Sequence, residues 1–585
     1  MSAAKKPARP RQKIRPGREE REDAPPESGR WNALILALIL VLTAAVFSNS
    51  LRNEFIDELD DDIYVVNNAA VKDLSAAGLK TIFTTFVAGN YHPLTMLSYA
   101  VEYRLFGLNP RAYHRTNRLL HGLNTALVFA LVWLLWRRRA AAVLAALLFA
   151  VHPMRVESVS WISERKDVLF ALFYLAALLA YVSYVKDRAK RGRLAGTLIL
   201  FLLSLLSKPT AVTLPVVLLL IDVYLRRKLD RRAWLEKVPF FVLAVVFGAL
   251  TLATQDPGTT LQEMTGRYGF FDRLFFPFYA LAFYLVRLFV PTGLSAYHYY
   301  PELVGGRLPW EYYAAPVVVI IVILAVVLAR GRFRREVVFG SLFFLVTVAV
   351  TLQVIPAGRA VAAERYTYIP YLGPFLVLGF LFDHALKRGK GAGRWLRPVA
   401  LAAAILIVLG LSYGTYRRNE TWRDSLTVFS DVIAKNPEAG HGYFLRGLIH
   451  YKKRDYGAAL ADYDRAVDLG FRDAKLFNNR AIVRGMNKDY REALADLELA
   501  LELNPQFVEA LSNRGNVKAA LGDQDGAIQD FEQALRLSPS YINAHYGLGM
   551  VSYARGDMKA ACAHWQRAAQ LGSEQARKLI AERCK

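Results

Sequence analysis

Long apolar runs alternate with short polar segments through the first two thirds of the chain. The runs are centred near residues 40, 125, 148, 175, 200, 217, 245, 282, 320, 345, 375 and 405. Runs of this length and hydrophobicity are typical of membrane-spanning helices. The pattern predicts an all-α, polytopic membrane bundle over residues 31–415 rather than one soluble domain.

Basic clusters between the runs indicate which loops face the cytoplasm. They lie at residues 137–139, 186–193, 226–232, 330–336 and 387–397. The positive-inside rule places these loops and the N-terminus in the cytoplasm. The run at 273–291 breaks the alternation and carries Arg273, Pro277, Arg287 and Pro291, so we expect it to be re-entrant or interfacial. About eleven full spans remain.

The same alternation places several segments on the opposite, non-cytoplasmic face. These are the acidic segment 52–113, the loops 152–166 and 356–365, and everything after about residue 415. We therefore expect the polar chemistry of the chain to be concentrated on that face.

The C-terminal segment, residues 441–585, is an internal repeat with a period of about 34 residues, the length of a tetratricopeptide repeat. Its register is strict in three sets of positions, which are Asp455, Asp489, Asp523 and Asp557; Ala459, Ala493, Ala527 and Ala561; and Ala466, Ala500, Ala534 and Ala568. Stacked units form an α-solenoid whose concave surface binds a peptide or a protein; a spacer or oligomerisation module is the alternative. Residues 416–440 are predicted to form a connecting helix or a partial repeat.

Composition narrows the class of protein. The 585 residues are 54% hydrophobic and 21% charged, with a net charge of +24. The basic residues lie in loops and not in a stripe interleaved with aromatic residues, so we expect no nucleic-acid partner. Residues 1–30, rich in charge and proline, are predicted to be disordered and to precede an uncleaved anchor. Cys562 and Cys584 either pair in an oxidising compartment or remain two thiols.

The acidic stretch FIDELDDDIYVVNN, residues 55–68, follows the first span almost immediately. A solvated loop is the simplest interpretation. However, apolar and aromatic residues flank the carboxylates, which suggests a segment folded back against the bundle. A carboxylate in a partly dehydrated cleft suits a general base, and adjacent carboxylates also suit a divalent cation, so a metal requirement stays open.

The second outside loop has the composition of a phosphate site. Glu157, Glu164 and Asp167 accompany Arg155, Arg165 and Lys166. A guanidinium and an ammonium near the membrane surface are what phosphate recognition needs, although a solvated rim has the same composition. Further charges on that face are Lys208, Arg359, Glu364 and Arg365.

The second span carries a polar stripe on one helical face, formed by His114, Asn117, His121 and Asn124. In lipid such a stripe turns inward, where it makes interhelical hydrogen bonds or lines a substrate cavity. No H-E-x-x-H or comparable ligand spacing for zinc occurs.

These features together resemble the transmembrane and tetratricopeptide-repeat (TMTC-type) glycosyltransferases of the GT-C superfamily, which includes the protein O-mannosyltransferases. The resemblance spans nearly the whole chain. It rests on the order of NEFIDELDDDIYVVNN, YHPLTMLSYAVEYRLFGLNPRAYHRTNRLLHGLN, HPMRVESVSWISERKDVLF, SKPTAVTLP, AERYTYIPY and RNETWRDSLTVF.

The resemblance implies an outward cavity that admits a polyprenyl-phosphate-linked sugar from the membrane. The family's acidic motif falls on Asp60 and Asp61, although the aromatic residue that usually precedes it is replaced by Glu58 and Leu59. The donor phosphate is expected at Arg165, Lys166, Lys208 and Arg365. Supporting cavity residues are Asp62, His92, His114, His152, Glu157, Asp167 and Glu364.

The implied reaction is a single inverting transfer to a Ser or Thr hydroxyl of an exported or luminal protein held by the repeats. A non-enzymatic membrane scaffold for envelope proteins and a transporter are the rival hypotheses. Against a transporter, the strongest charges lie in outside loops and no pair of interrupted helices occurs in matching halves. The compact loops favour a bacterial inner membrane with the repeats in the periplasm.

Overall fold

A computed structural model of the chain describes residues 28–187, 192–254, 264–329, 331–354, 358–388 and 395–584. Almost all of the predicted disordered tail lies outside these residues, as do parts of the predicted basic loops at 186–193, 330–336 and 387–397. The regular elements of the described residues are helices, apart from one pair of short strands and two isolated β-bridges. An all-α membrane portion is therefore followed by a helical repeat array.

The helices of the membrane portion are α1 (Ser28–Val46), α2 (Ala76–Thr84), α3 (Pro93–Phe106), α4 (Pro110–Trp136), α5 (Arg139–Val151), α6 (Val156–Ser160), α7 (Arg165–Lys186), α8 (Gly192–Ser207), α9 (Leu214–Tyr224), α10 (Arg231–Leu235), α11 (Val238–Thr254), α12 (Phe270–Phe289), α13 (Trp310–Leu328), α14 (Arg334–Val348), α15 (Leu372–Arg388) and α16 (Leu396–Glu420). The strands β1 (His298–Tyr299) and β2 (Ala360–Ala362) pair antiparallel. Single turns of tighter or wider helix lie at Asn49–Arg52, Asp62–Val66, Ala69–Lys72, Pro153–Arg155, Ile162–Glu164, Pro209–Thr213, Gly331–Phe333, Ala349–Thr351 and Glu364–Thr367.

The predicted number of about eleven spans is not what the structure shows. Among the described residues, six helical segments are long and apolar enough to cross a membrane, namely Gly29–Arg52, Pro110–Trp136, Ile162–Lys186, Arg231–Thr254, Trp310–Leu328 and Leu396–Glu420. A seventh results if α5 and the segment Pro153–Ser160, bent by 61°, count as one span.

The difference has a geometric cause. Several apolar runs form helices that are short for a bilayer: α8 has 16 residues, α9 has 11 and α14 has 15. At 1.5 Å per residue, a 16-residue helix covers about 24 Å of a hydrocarbon core that is about 30 Å thick. The irregular run at 273–291 forms α12, a helix that contains Pro277 and is not among the six.

Small residues let the bundle helices approach closely. Helices α14 and α15 meet at Gly340 and Gly373, where a Cβ added to Gly373 would lie 2.2 Å from the carbonyl oxygen of Gly340. An alanine at Gly373 would push the two backbones apart, and such close contacts between small residues are typical of helix packing in membranes.

The repeat array begins directly after the last membrane helix. A single helix, α17 (Ser425–Lys435), precedes four helix pairs and a final helix; these are α18 (Gly440–Lys452), α19 (Tyr456–Asp468), α20 (Ala474–Met486), α21 (Tyr490–Leu503), α22 (Val508–Ala520), α23 (Gln524–Leu537), α24 (Ile542–Ala554), α25 (Met558–Gln570) and α26 (Glu574–Arg583). A disulfide between Cys562 and Cys584 joins α25 to the end of α26.

Three successive pairs are tied internally by the same forked ion pair, which sequence analysis did not identify. Each arginine on the first helix of a pair bonds both oxygens of an aspartate on the second, and the pairs are Arg446–Asp462, Arg480–Asp496 and Arg514–Asp530. The middle pair is the most buried, with side-chain exposures of 9% and 2%. Bidentate pairs of this kind fix geometry as well as adding energy.

We expect Arg480→Met to destabilise the second repeat by about 2 kcal/mol, because it removes the forked donor of the buried Asp496 carboxylate and leaves only the single bond from Arg484 at 3.0 Å. Arg555→Met is the matched control, since its partner Asp525 is 86% exposed and the loss should be below about 1 kcal/mol. Hydrogen exchange in the full chain measures both, in α20 and α21 for Arg480→Met and in α23 and α24 for Arg555→Met. Equal protection in the two variants would show that the forked pair contributes nothing to stability.

Candidate functional site

One buried carboxylate holds the first outside loop against the second. Asp61 is fully buried. One of its oxygens accepts a hydrogen bond from the backbone N–H of Ile56 (2.8 Å), and the other accepts from the backbone N–H of Ser163 (2.9 Å) and from its hydroxyl. Burial raises the pKa of Asp61 to about 7, against the opposing effect of these hydrogen bonds. Asp61 is thus an anchor for the loop.

The neighbouring Asp60 contacts a cationic side chain, that of Lys166. Its Oδ2 lies 3.1 Å from Nζ of Lys166, and its side chain is 34% exposed. The Lys166 ammonium also lies over the ring of Tyr64, 4.6 Å from the ring centroid. Of the two aspartates, Asp60 is the one that combines access from solvent with contact to a cation.

The other acidic residues of this run have separate partners. Glu58 pairs with Lys452 at 2.6 Å, and Asp62 accepts a hydrogen bond from the backbone N–H of Ile63 at 2.9 Å. Partial burial raises the pKa of Asp62. In the described part of the chain no three carboxylate, histidine or cysteine side chains converge as a metal site.

Three cations surround a single buried carboxylate at the centre of the site. Glu164 lies 3.3 Å from Lys166, 3.4 Å from Lys208 and 3.3 Å from Arg365. Because Lys166 contacts both Asp60 and Glu164, the acidic loop and the three cations form one continuous network. We call Lys166, Lys208 and Arg365 the cation triad.

The triad is open on one side and supported on the other. Lys208 also pairs with Asp167 at 2.5 Å, and Arg365 pairs with Glu157. The side chains of Lys166, Lys208 and Arg365 are 12%, 13% and 20% exposed, whereas all three supporting carboxylates are 2% exposed or less. The carboxylates lie beneath the cations, so an incoming anion would meet positive charge first.

A narrow cleft beside the triad is lined by hydroxyl groups. Lys208 and Arg365 border it together with the threonines Thr210, Thr213, Thr347 and Thr351. The Thr210 hydroxyl is buried and has no hydrogen-bond partner among the described residues. The cleft volume is about 20 Å³, room for one or two waters, so it must widen to admit a phosphate.

Arg165 lies away from this cleft. Its guanidinium pairs with Glu102, donates to Asn117 Oδ1 at 2.8 Å and donates to the carbonyl of Tyr113 at 2.9 Å. The side chain is fully buried, so every strong interaction it makes joins α3, α4 and α7. Arg165 thereby positions its neighbour Lys166, and the geometry gives it no open face toward a donor phosphate.

The three predicted histidines differ in position. The ring of His92 lies beside that of Tyr64, tilted by 40° with centroids 5.0 Å apart, and burial lowers the pKa of His92 to about 3. His152 lies at the bend between α5 and α6, where Nε2 is 3.1 Å from the carbonyl of Leu288. His114 is buried inside α4. His92 is next to the site through Tyr64, and His152 is a structural residue at the bend.

The polar stripe of α4 is used for interhelical hydrogen bonding. The ring nitrogens of His121 lie 2.8 Å from the Tyr368 hydroxyl and 3.0 Å from the carbonyl of Ala150, so Nε2 carries the proton. Asn124 donates to the carbonyl of Val168 at 2.8 Å. Of the two interpretations of the stripe, the structure favours the structural one.

A second ion network, which the sequence did not predict, lies at the junction with the repeats. Buried Glu364 accepts from Arg418 at 3.0 Å, and Arg418 also bonds Asp431 of α17 at 2.9 Å. Arg418 opens the quoted segment RNETWRDSLTVF, so its position was available. Nothing in the segment shows, however, that Arg418 lies below Glu364.

Comparisons with known proteins agree with this architecture. A family model described as "Predicted membrane protein (DUF2142)" matches residues 67–378, more than half of the chain. Two tetratricopeptide-repeat models match residues 415–473 and 515–556.

The curated relatives include two that are similar over most of the chain. "Protein O-mannosyl-transferase TMTC1" of Homo sapiens is 25% identical over 76% of this chain and 56% of its own length. "Protein O-mannosyl-transferase F38B6.6" of Caenorhabditis elegans is 23% identical over 71% of this chain and 60% of its own length. The chain thus spans somewhat over half the length of these relatives.

Among solved structures, YrrB, "a TPR protein with an unusual peptide-binding site", is 21% identical, with a TM-score of 0.25 over 34% of this chain and 97% of that one. The family match, the relatives and the order of membrane helices and repeats lead to one assignment. The chain belongs to the family of predicted membrane proteins described as DUF2142 and is of the TMTC type, a transmembrane portion followed by tetratricopeptide repeats.

Proposed function

We propose that the chain is an integral membrane glycosyltransferase of the GT-C type. It transfers a sugar from a polyprenyl-phosphate-linked donor to a hydroxyl acceptor on the non-cytoplasmic face. The relatives named as protein O-mannosyl-transferases support a mannosyl or other hexosyl group and a Ser or Thr acceptor. The observation that carries the proposal is the bridge from the half-open Asp60 through Lys166 to Glu164 and the cation triad.

Asp60 acts as the general base. It is the aspartate of the first loop that is accessible, and the ion pair with Lys166 holds its carboxylate at the edge of the triad. As the acceptor hydroxyl attacks the anomeric carbon, its proton passes to Asp60. Proton removal of this kind contributes about a hundred-fold to ten-thousand-fold in rate.

The triad stabilises the leaving group. The bond between the anomeric carbon and the donor phosphate oxygen breaks while the new glycosidic bond forms, so the configuration at that carbon inverts. The electron pair stays on the lipid phosphate, whose growing negative charge is met by Lys166, Lys208 and Arg365. The threonine hydroxyls of the neighbouring cleft supply further donors.

The location of the repeats outside the cytoplasm has two supports. The basic loops between the spans favour a cytoplasmic N-terminus, so the loop after the first span lies on the other face, and Lys452 of the repeats pairs with Glu58 of that loop. The disulfide between Cys562 and Cys584 favours an oxidising compartment such as the bacterial periplasm. The partners are then membrane lipid, the lipid-linked sugar and an exported acceptor protein.

We expect Asp60→Asn to lower sugar transfer from a lipid-linked donor by about a thousand-fold, because the amide cannot take the proton. The repeat and bundle stabilities should be unchanged, since the Asp60 side chain is one-third exposed. Asp57→Asn is the control within the same acidic run, and we expect transfer within about threefold of the wild type. Radiolabelled sugar transfer by the full chain in nanodiscs measures all of these variants.

Asp61→Asn should also lower transfer, for a structural reason. An amide nitrogen in place of one oxygen opposes the N–H of Ile56 or of Ser163, so the loop loses its anchor and the melting temperature falls as well. Full activity in both Asp60→Asn and Asp61→Asn would end the enzymatic proposal. It would leave the membrane-anchored repeat scaffold as the function.

Replacing the Lys208–Asp167 pair as a unit tests the donor side. The double variant Lys208→Met with Asp167→Asn leaves no buried unpaired charge, yet it removes one cation of the triad. We expect the KM for the lipid-linked donor to rise by about ten- to a hundred-fold. The pair Arg138→Met with Asp383→Asn, at 3.1 Å on the predicted cytoplasmic side, is the control and should not change this KM.

A further inference from the structure

Of the buried arginines in the described residues, Arg155 is the one without a carboxylate partner. Its side chain is fully buried, and its Nε and Nη2 atoms have no hydrogen-bond partner in the described part of the chain. Buried Arg165 and Arg418, by contrast, pair with carboxylates. A charge kept from water without a counterion is costly, so the interactions that Arg155 does make need an explanation.

Four aromatic rings surround the Arg155 guanidinium. The distances from its central carbon to the ring centroids are 4.8 Å for Phe149, 5.2 Å for Tyr368, and 5.5 Å for both Tyr371 and Phe375. We call these four rings the aromatic cage. The negative faces of aromatic rings attract a cation, most strongly where water is excluded. The cage therefore offsets part of the cost of burying the charge.

The hydrogen bond of Arg155 goes to the turn that carries Arg365 of the cation triad. Nη1 of Arg155 donates to the carbonyl of Thr367 at 2.9 Å. Thr367 is the last residue of the single helical turn Glu364–Thr367. The last carbonyls of a helical turn lack internal donors and form the negative end of its dipole, so a cation is favourable there.

The opposite end of the same turn is held from the same segment. The backbone N–H of Arg365 donates to Oε2 of Glu157 at 2.8 Å, and the Arg365 guanidinium donates to the other oxygen. Arg155 and Glu157 are two positions apart in the chain. A guanidinium at the carbonyl end and a carboxylate at the N–H end thus hold the turn from both sides. We call Arg155 and Glu157 the clasp.

The clasp determines where the Arg365 guanidinium lies. That guanidinium is 3.3 Å from Glu164, the carboxylate that it shares with Lys166 and Lys208. A rotation of the turn would move Arg365 away from the other two cations. Stabilisation of a developing charge depends on donors that are already in place, so such a movement would weaken the triad.

We propose that Arg155 is a positioning residue for the cation triad: by holding the Thr367 carbonyl, it fixes the turn from which Arg365 meets the donor phosphate. The inference rests on the proposed function. Arg155 is fully buried, so it acts through Arg365 and not on the ligand. Packing alone does not account for the charge, because an apolar side chain of similar length would fill the aromatic cage without the cost of desolvation.

Arg155→Met separates positioning from stability. We expect sugar transfer to fall by about tenfold, because Arg365 loses its alignment. The KM for the lipid-linked donor should rise, and the acceptor KM should stay within about twofold. The melting temperature should change by less than about 3 °C, since loss of the hydrogen bond is offset by removal of an unpaired buried charge. A fall above about 8 °C would assign Arg155 to stability and overturn the proposal.

Arg155→Lys keeps a cation and a donor for the Thr367 carbonyl. We expect it to lose no more than about threefold in transfer, although an ammonium fits the aromatic cage less well than a planar guanidinium. A loss as large as that of Arg155→Met would contradict the role given to the bond with Thr367.

A double-mutant cycle tests whether Arg155 acts through Arg365. The background is Arg365→Met with Glu157→Gln, which removes one cation of the triad together with its buried partner. In this background we expect Arg155→Met to change transfer by less than about twofold, because no guanidinium remains to be positioned. The same tenfold loss in both backgrounds overturns the proposal.

Arg335→Met is the matched control. The Arg335 guanidinium lies 4.6 Å from the ring centroid of Tyr224 and donates to the Tyr224 carbonyl, the same two interactions on the predicted cytoplasmic side. Transfer and donor KM should both be unchanged. A loss equal to that of Arg155→Met would show a general effect of removing such an arginine and would overturn the proposal.

Binding of polyprenyl phosphate, without sugar or acceptor, tests the positioning separately from catalysis. With the full chain in nanodiscs, we expect Arg155→Met to raise the Kd by about fivefold, because one charge-assisted contact is misaligned. Equal Kd values for Arg155→Met and the wild type overturn the positioning role. Unimpaired transfer by Asp60→Asn and Asp61→Asn instead overturns the proposed function and leaves the difference in Kd intact.

Discussion

The buried carboxylate of Asp61 is the interaction on which the site depends. Three donors from two segments, Ile56 and the backbone and hydroxyl of Ser163, converge on it. Burying a carboxylate is costly, so the loop can adopt this position only if all three donors are in place. That requirement fixes the register of the first loop against the second. It also places Asp60, the residue that precedes Asp61 in the chain, against Lys166.

The second constraint is electrostatic. Lys166, Lys208 and Arg365 lie close together, and their mutual repulsion is offset by Glu164 at the centre and by Asp167 and Glu157 on the flanks. With Asp60 included, four carboxylates face three ammonium or guanidinium groups. The cations are therefore neutralised without a ligand, and in the proposed reaction a donor phosphate would compete with the carboxylates for them. Such competition would favour release of the proposed phosphate product, because the ion pairs re-form once the lipid leaves.

Sequence patterns predicted the layout of the chain better than the partners of its side chains. The period of 34 residues and the apolar runs are local signals, so the repeats and the membrane character followed from them. The span count did not, because hydropathy cannot separate a full crossing from helices as short as α8 and α9. Lys166, Lys208 and Arg365 do converge as expected. Arg165 does not join them, because neighbouring residues on a helix point in different directions, and Glu102, its partner, lies 63 residues away.

The repeats are attached firmly to the membrane portion, and this affects how they could present a bound acceptor. A flexible tether would only raise the local concentration of an acceptor. Here α16 passes to α17 within a few residues, Arg418 bonds Asp431 across that junction, and Lys452 and Asp473 pair with Glu58 and Arg359 of the membrane portion. Contacts at several separated points fix orientation as well as distance. In the proposed reaction, an acceptor held by the repeats would reach Asp60 in a fixed orientation, and alignment of its hydroxyl with the donor would contribute more to the rate than proximity alone.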